Sequence, residues 1–441
     1  MKFDIDDLPS SCNTDVEYWC GNTRIDISTL IKAFLYLEAH FINPGCCLNL
    51  DMTICKDCEG SRRDAFALTY FMESARKGPQ RAVGTEELWV PLILFRSRLC
   101  QNPLDKVYAF LALMEQPWQH EISIDYNMSP QGLYKQLFVI DTATTKSFRS
   151  LGFVTHNNAN SNNPSWLPGW AVATSCYHDM GLHNRHSLYN ASKRREPDFD
   201  RELLEDGILR VATIPTGCAA TVGRSAPVFC LGEIVADFTI WGSWLTLFLD
   251  YAGLALDDIH GLYSSRLRVR VVPKIWRWGR NKPLESKLGS AGERLIDAFW
   301  RTLFGNYVLE RNEIYVRAQA KDERAFWRAW KNLIIGSGIR TPDVQGVLFM
   351  QALLRATTCR RFFITNKCYL GLGPHNMQAG DEIHIVAGGN CPLVLRKASH
   401  ERSIQSANPT YTLVGDCYLH GVMDGEAAEN FEERTTTIDI I

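Results

Sequence analysis

The chain has 441 residues, of which 46% are hydrophobic and 22% charged, with a formal net charge of -2. This length allows two or three domains around a sizeable core. The composition excludes wholesale disorder, and the small net charge excludes a global field that would attract nucleic acid or an anionic membrane.

No targeting or membrane segment is predicted. The amino terminus lacks a basic region followed by an apolar run, so a secretory signal is not expected. The most apolar uncharged run, Phe238–Leu249, has 12 residues, which is too short to cross a bilayer, and it predicts a buried helix. The 14 cysteines fall short of a disulfide scaffold and are expected to be reduced and buried, which predicts a cytoplasmic location.

Residues 1–155 are predicted to form a mixed, mostly helical region. Apolar residues recur at helical spacing in Ile31–Phe41 and again in Asp64–Ala75. A further helix is predicted to open at Asp105, whose carboxylate suits the first turn. Another is predicted to be capped by Ser129, with Pro130 at its first position.

Residues 156–345 are predicted to form a mixed helical middle region that begins with a loop over Asn157–Pro168. Two short strands are expected at Ile208–Ala212 and Ala219–Val222, separated by Pro215 and Gly217. Two segments carry helical stripes of apolar residues. The first stripe comprises Leu295, Ile296, Phe299, Trp300, Leu303, Phe304 and Tyr307, and the second Ala325, Phe326, Ala329, Trp330, Leu333 and Ile334.

Residues 346–430 are predicted to form an antiparallel β module, and residues 431–441 a loosely held tail. A helix over Val344–Thr357 leads into the module. From Arg360 to Glu426, short apolar runs alternate with Gly, Asn and Asp turn signals. The predicted fold class is therefore α+β, with mostly helical amino-terminal and middle regions and a small antiparallel β barrel or sandwich near the carboxyl end.

Cys55 and Cys58 form a CxxC pair, which makes them the candidates for a metal site. Tetrahedral zinc needs four ligands, and no second CxxC or HxxxH completes the set. A thioredoxin-like redox pair would need a βαβ context that the surrounding sequence lacks. Structural zinc, redox chemistry and incidental cysteines stay open as interpretations, so the metal is unknown and no cofactor is assigned.

The segment Ser264–Pro283 is strongly basic and contains no acid. Its arginines, lysines and two tryptophans suit phosphate binding with base stacking, a lipid headgroup layer, partner docking, or a solvated connection. The same composition also suits an edge strand, where charged side chains prevent pairing with another chain. We favour the solvated connection and assign no nucleic acid partner.

The β module contains residues that catalysis often uses, without an order that selects any of them. The glycine pairs lack the spacing of a phosphate loop and predict turns. A Cys/His nucleophile pair could assemble there, but isolated strand residues of these types usually pack, so no catalytic residue is assigned. The residues concerned are His375, His384, His420, Cys368, Cys391 and Cys417, together with the paired acids Asp424 and Glu426.

Several segments resemble the fungal heterokaryon incompatibility proteins. Arg98–Leu113 is similar to the family run R-x-C-x-x-P-x-D-K-V-Y-A-L-L-G-L. Ile124–Tyr126 and Ser165–Trp170 are similar to its D-Y and P-S-W-x-P-D-W elements, with Gly169 at the family's Asp position. The β module adds Arg360–Phe363, Gly371–Pro374, Gly380-Asp381 and His420–Glu426.

The family's amino-terminal signature elements, A-L-S-Y-x-W-G and W-x-D-x-x-C-I-N-Q, are not found in this sequence. The chain therefore resembles a truncated or diverged member that keeps the region downstream of the signature domain. The resemblance carries over no catalytic residue.

The resemblance implies a non-enzymatic recognition or regulatory protein that acts through protein contacts in allorecognition and the associated programmed cell death. The alternative is an enzyme of a fungal biosynthetic pathway, with a pocket between the helices and the β module. A protein partner is expected, and the sequence does not indicate an oligomeric state.

Overall fold

The structure is a computed structural model, and two compact units make up the chain. One unit comprises Met1–Leu133 and Trp170–Cys176, and the other Tyr134–Gly169 and Tyr177–Ile441. The residues that the structure describes are 18–20, 22–25, 29, 89–94, 96, 100–111, 121–154, 163–170, 188–226, 239–252, 295–310, 315–327, 330, 344–398 and 407–441. Outside them lie the predicted helices Ile31–Phe41 and Asp64–Ala75, the pair Cys55 and Cys58, and the basic segment Ser264–Pro283.

The first unit contains a two-stranded hairpin and two short helices. The hairpin pairs β1 (Tyr18–Cys20) with β2 (Thr23–Ile25), and the helices are α1 (Trp89–Leu94) and α2 (Asp105–Leu111). Asp105 lies in the first turn of α2, as predicted. Trp170 is buried and stacks on Trp89, with ring centroids 5.1 Å apart, so it anchors this unit.

Helices and strands alternate in the second unit. The helices are α3 (Pro130–Thr145), of which residues 134–145 belong to this unit, α4 (Arg201–Glu205), α5 (Thr239–Ala252), α6 (Leu295–Leu303), α7 (Val344–Thr357) and α8 (Phe431–Arg434). Short 3-10 helices lie at Arg149–Phe153 and Ala320–Asp322. Helices α3, α5 and α7 confirm the predicted segments, and none of the described helices has the length and apolar content needed to cross a bilayer.

The strands of this unit form a closed barrel and one separate hairpin. The hairpin pairs β4 (Tyr307–Leu309) with β5 (Tyr315–Arg317). The barrel strands are β3 (Leu209–Ser225), β6 (Arg360–Thr365), β7 (Leu370–Pro374), β8 (Glu382–Val386), β9 (Leu393–Lys397), β10 (Thr410–Asp416), β11 (Tyr418–Leu419) and β12 (Thr436–Ile440). The structure has helices together with a closed barrel, as predicted, but the barrel is not wholly antiparallel, because β10 and β12 pair in parallel. A mostly helical character before residue 345 is not confirmed, because β1–β5 lie there.

Closure of the barrel depends on the long strand β3. Its first part pairs antiparallel with β12, its middle with β8 and its last part with β6. The pairings β3–β12–β10–β9–β8 return to β3 and complete a ring. The strands therefore extend beyond the range 346–430, and residues 436–440 of the predicted tail are a paired strand. The predicted domain limits stay a prediction.

The two short strands predicted around Pro215 are one strand with an irregularity. The register of β3 against β8 shifts between Pro215 and Gly217. At this point the partner on the other edge changes from β12, which reaches Thr213, to β6, which begins at Ala219. The missing N–H of Pro215 therefore interrupts no ladder on that edge, and β3 continues past the proline.

The apolar stripe predicted from Leu295 to Tyr307 is helical only as far as Leu303. Gly305 and Asn306 both have positive φ angles, 59° and 61°, which no α-helix accommodates. The chain turns there and Tyr307 begins β4. Apolar spacing alone does not predict this turn. Phe304 and Tyr307 are buried here, and a continued helix would also place them on its apolar face.

The barrel is filled by apolar side chains. Buried residues from six strands and the adjoining turns form one core cluster, and helices α5, α6 and α7 pack in a second cluster that includes Phe362 of β6. The first cluster includes Ile214, Phe363, Ile383, Ile385, Val394, Val414, Leu419 and Val422. Each such side chain stabilises the fold by roughly 1.5–3 kcal/mol.

The pair Ser165-Trp166 connects three barrel strands. The Ser165 N–H and hydroxyl donate to the carbonyl of Ile441, just after β12, and the hydroxyl accepts from the Leu413 N–H of β10 at 2.8 Å. The indole of Trp166 donates to the carbonyl of Gly207, just before β3, at 2.9 Å. Ser165 and Trp166 therefore hold three barrel strands together.

We expect Ser165→Ala to lower the free energy of unfolding by about 1–3 kcal/mol, because the Leu413 N–H loses its acceptor. Urea denaturation measures the change. Ser123→Ala, at an exposed serine outside the barrel, is the control and should change little. Equal free energies of unfolding for the two variants would contradict this stabilising role of Ser165.

Candidate functional site

His384 of β8 lies in the barrel wall between a hydroxyl and a carboxylate. Its Nδ1 is 3.0 Å from the Thr213 hydroxyl of β3, and its Nε2 is 3.2 Å from the Glu382 carboxylate. With Glu382 ionised, Nε2–H donates to the carboxylate and Nδ1 accepts from the Thr213 hydroxyl. The order of groups is therefore hydroxyl, imidazole and carboxylate.

The carboxylate of Glu382 collects three donors. Besides His384, the Lys397 ammonium lies at 3.0 Å and the Tyr411 hydroxyl donates at 3.0 Å. Burial alone would raise the pKa of Glu382, but these hydrogen bonds outweigh it and lower the pKa. Burial and the hydrogen bond to Glu382 raise the pKa of Tyr411 to about 12.

The surroundings of His384 keep it neutral and out of reach. Burial lowers the pKa of its imidazole more than the neighbouring carboxylate raises it. The residue is 2% exposed and Thr213 is fully buried. A nucleophilic hydroxyl must contact its substrate, and both of these side chains are buried. The arrangement ties β8 to β3 in the folded barrel.

The thiols of Cys391 and Cys417 lie beside a buried ion pair. The Arg360 guanidinium donates to the carboxylate and to the backbone carbonyl of Asp416, both at 2.6 Å. Burial raises the pKa of both thiols, and the charge of Asp416 raises it further. The thiolate, which is the nucleophilic form, is disfavoured at both cysteines.

The segment His420–Glu426 joins the barrel to the β4–β5 hairpin. The His420 Nδ1 lies 2.7 Å from the Tyr418 hydroxyl. The Asp424 carboxylate accepts two hydrogen bonds from the Arg317 guanidinium of β5, at 2.6 and 2.7 Å. Gly425 has a positive φ of 89°, and a Cβ there would collide with the side chain of Lys193. This segment therefore has a structural role in the fold.

The remaining predicted residues are turn residues. Glu426 accepts the N–H of Asp424, Cys368 has a positive φ of 73° after β6, and the His375 carbonyl accepts from Arg361. Among the described residues, no group of three or more His, Cys, Asp or Glu could hold a metal ion.

Sequence reasoning does not single out Thr213, Glu382 or Asp416, and it names Arg360 only as part of a family element. The sequence signal for Glu382 was its position two residues before His384, which places both side chains on one face of a strand. Thr213 and Asp416 are 171 and 56 residues from their partners His384 and Arg360, so no local pattern marks these contacts.

We expect the free energy of unfolding to fall as the pH drops from about 8 to about 5. The folded-state pKa of His384 lies below its ordinary value, so near pH 6 the unfolded chain binds more protons. The stabilising contribution is complete above about pH 6.5 and is lost as the pH falls towards the folded-state pKa. The contribution of Glu382 is lost in a lower window, below its ordinary value of 4.5.

Urea denaturation across this range tests His384→Gln, which should show a shallower fall than the wild type. His375→Gln, at a partly exposed histidine, is the control. Identical pH profiles for the wild type and His384→Gln would show that His384 does not cause the loss of stability at lower pH.

We expect Asp416→Asn to destabilise the fold by about 3–5 kcal/mol, because it leaves the buried Arg360 guanidinium without its counter-charge. The double variant Arg360→Met, Asp416→Leu should recover most of that loss. Glu432→Gln breaks the exposed pair with Arg195 and should change little. Thermal and urea unfolding measure these differences, and a loss in Asp416→Asn no larger than in Glu432→Gln would contradict the assignment.

Comparison with known proteins places the barrel in a family. Residues 335–437 match the Het-6 beta-barrel domain. Heterokaryon incompatibility protein 6, OR allele, of Neurospora crassa is 35% identical over 81 residues, which cover 18% of this chain and 11% of that protein. No solved structure matches the chain. The carboxy-terminal part is therefore similar to the Het-6 beta-barrel domain, and the predicted resemblance to the heterokaryon incompatibility proteins is confirmed.

Proposed function

We propose that this protein is a non-enzymatic recognition or regulatory protein of heterokaryon incompatibility. It acts in the cytoplasm through protein contacts, in allorecognition and the associated programmed cell death. The relative is named for heterokaryon incompatibility, and the match covers a small part of it. The activity is therefore a proposal for this chain.

The packed interior of the barrel is the observation that carries this proposal. Apolar side chains fill it, the Cys391 and Cys417 thiols are buried in their less reactive form, and the His384 imidazole is buried and neutral. A closed ring presents a rigid outer surface, because each of its strands, β3, β12, β10, β9 and β8, pairs with a strand on either side. Such a scaffold suits docking better than turnover.

One observation favours the enzyme alternative. Thr213, His384 and Glu382 follow each other in the order that hydroxyl nucleophile, base and orienting acid take in many hydrolases. An enzyme would need an opening that brings substrate to Thr213. The two functions are separated by a variant that removes the imidazole while retaining the fold.

The experiment is expression in Neurospora crassa, with growth and viability scored after cell fusion. We expect the wild-type chain to reduce viability relative to an empty vector, and His384→Gln to act like the wild type. Val394→Asp, which buries a charge in the barrel core, should be inactive. Wild-type expression without effect would refute the proposal, and loss of activity in folded His384→Gln would favour the enzyme.

A further inference from the structure

We propose that the loop of residues 121–128, which exposes Ile124 and Tyr126, is a docking surface for a protein segment in which basic and apolar residues alternate. This inference rests on the proposed function and names the contact surface and the chemistry of the partner. Ile124 is 60% exposed and Tyr126 57% exposed, and few large hydrophobic residues in the described part of the chain are so open to solvent.

The loop is held rigidly although it is exposed. The Tyr108 hydroxyl of α2 accepts from the Asp125 N–H at 3.2 Å and donates to the Asp125 carbonyl at 3.1 Å. The Met128 N–H also donates to that carbonyl, which closes a turn, and the Asp125 carboxylate accepts from the Asn127 N–H. Both exposed apolar residues therefore flank a fixed backbone position.

The tyrosine ring is fixed as well. The Tyr126 ring packs edge-on against the Tyr108 ring, with centroids 5.4 Å apart, and its hydroxyl donates to Asp105 at 2.9 Å. A partner gains contact with this ring without ordering it first, because preorganised side chains lose little entropy on binding. Tyrosine is also among the residue types that dominate binding energy in protein interfaces.

Within residues 100–111 and 121–129, the acidic side chains outnumber the basic ones by three to one. Asp105, Glu121 and Asp125 are the acids of residues 100–111 and 121–129, and Lys106 is the basic residue in those segments. Lys106 is buried, and its ammonium donates to the Arg96 carbonyl at 2.8 Å, so it does not neutralise the surface. An arginine can pair with the carboxylates and lie over the Tyr126 ring, while a neighbouring apolar residue covers Ile124.

The test uses a synthetic peptide with the sequence of residues 264–283, SSRLRVRVVPKIWRWGRNKP, as a probe of this chemistry. It contains seven basic residues and no acid. It is used only because its composition matches that expected of the partner. The full chain is titrated with the labelled peptide by fluorescence anisotropy. A second peptide, with serine in place of the apolar residues, keeps the charge alone.

We expect saturable binding that weakens at least about tenfold in Ile124→Ala and in Tyr126→Ala, and also with the serine peptide. Raising the salt from about 50 mM to about 300 mM should weaken it further. Tyr251→Ala, at another exposed tyrosine, should bind like the wild type. Circular dichroism and thermal unfolding check that each variant is folded.

No binding by the wild type, or equal binding by the wild type and Tyr126→Ala, would overturn the docking surface. The viability assay is independent of this result, so a wild-type chain that reduces viability without binding the peptide would retain the proposed function and lose this surface alone. A chain that binds the peptide through Tyr126 without affecting viability would retain this docking surface and refute the proposed function.

Discussion

The structure depends most on one strand, β3, which pairs with β12, β8 and β6 along its length. A sheet has unpaired edges until it closes, and β3 is the strand at which this ring returns to itself. The matched residues 335–437 include β6–β11 but not β3. The barrel is completed by a segment that begins more than a hundred residues earlier in the chain.

Several of the elements that resemble the heterokaryon incompatibility proteins hold distant segments of this fold together. Ser165 and Trp166 bind the middle of β10, the residue after β12 and a residue just before β3, and Asp424 binds the β4–β5 hairpin. Arg210 of β3 adds a two-pronged pair with the buried Asp439 of β12, at 2.7 and 2.9 Å. These residues unite distant segments, so their role in this fold is structural.

Local features of the fold could be predicted from the sequence, and contacts between distant segments could not. Apolar spacing and Pro130 marked helix α3, and glycine-punctuated runs marked the hairpin strands from Arg360 onward. The continuation of β3 through Pro215 depends on a change of partner strand. The setting of His384 depends on Thr213 in that same strand, so its tautomer and pKa follow from topology. No local pattern encodes the pairing of residues so far apart.

The rigidity of the barrel comes from its closure by β3, which pairs with β12, β8 and β6. Hydrogen exchange of the backbone amides, followed by mass spectrometry, tests this closure most directly. If β3 completes the ring, amides of residues 209–225 will exchange as slowly as those of β8–β10, through the same global opening. Exchange of residues 209–225 much faster than that of β8–β10 would show that β3 is only loosely attached and would contradict the account.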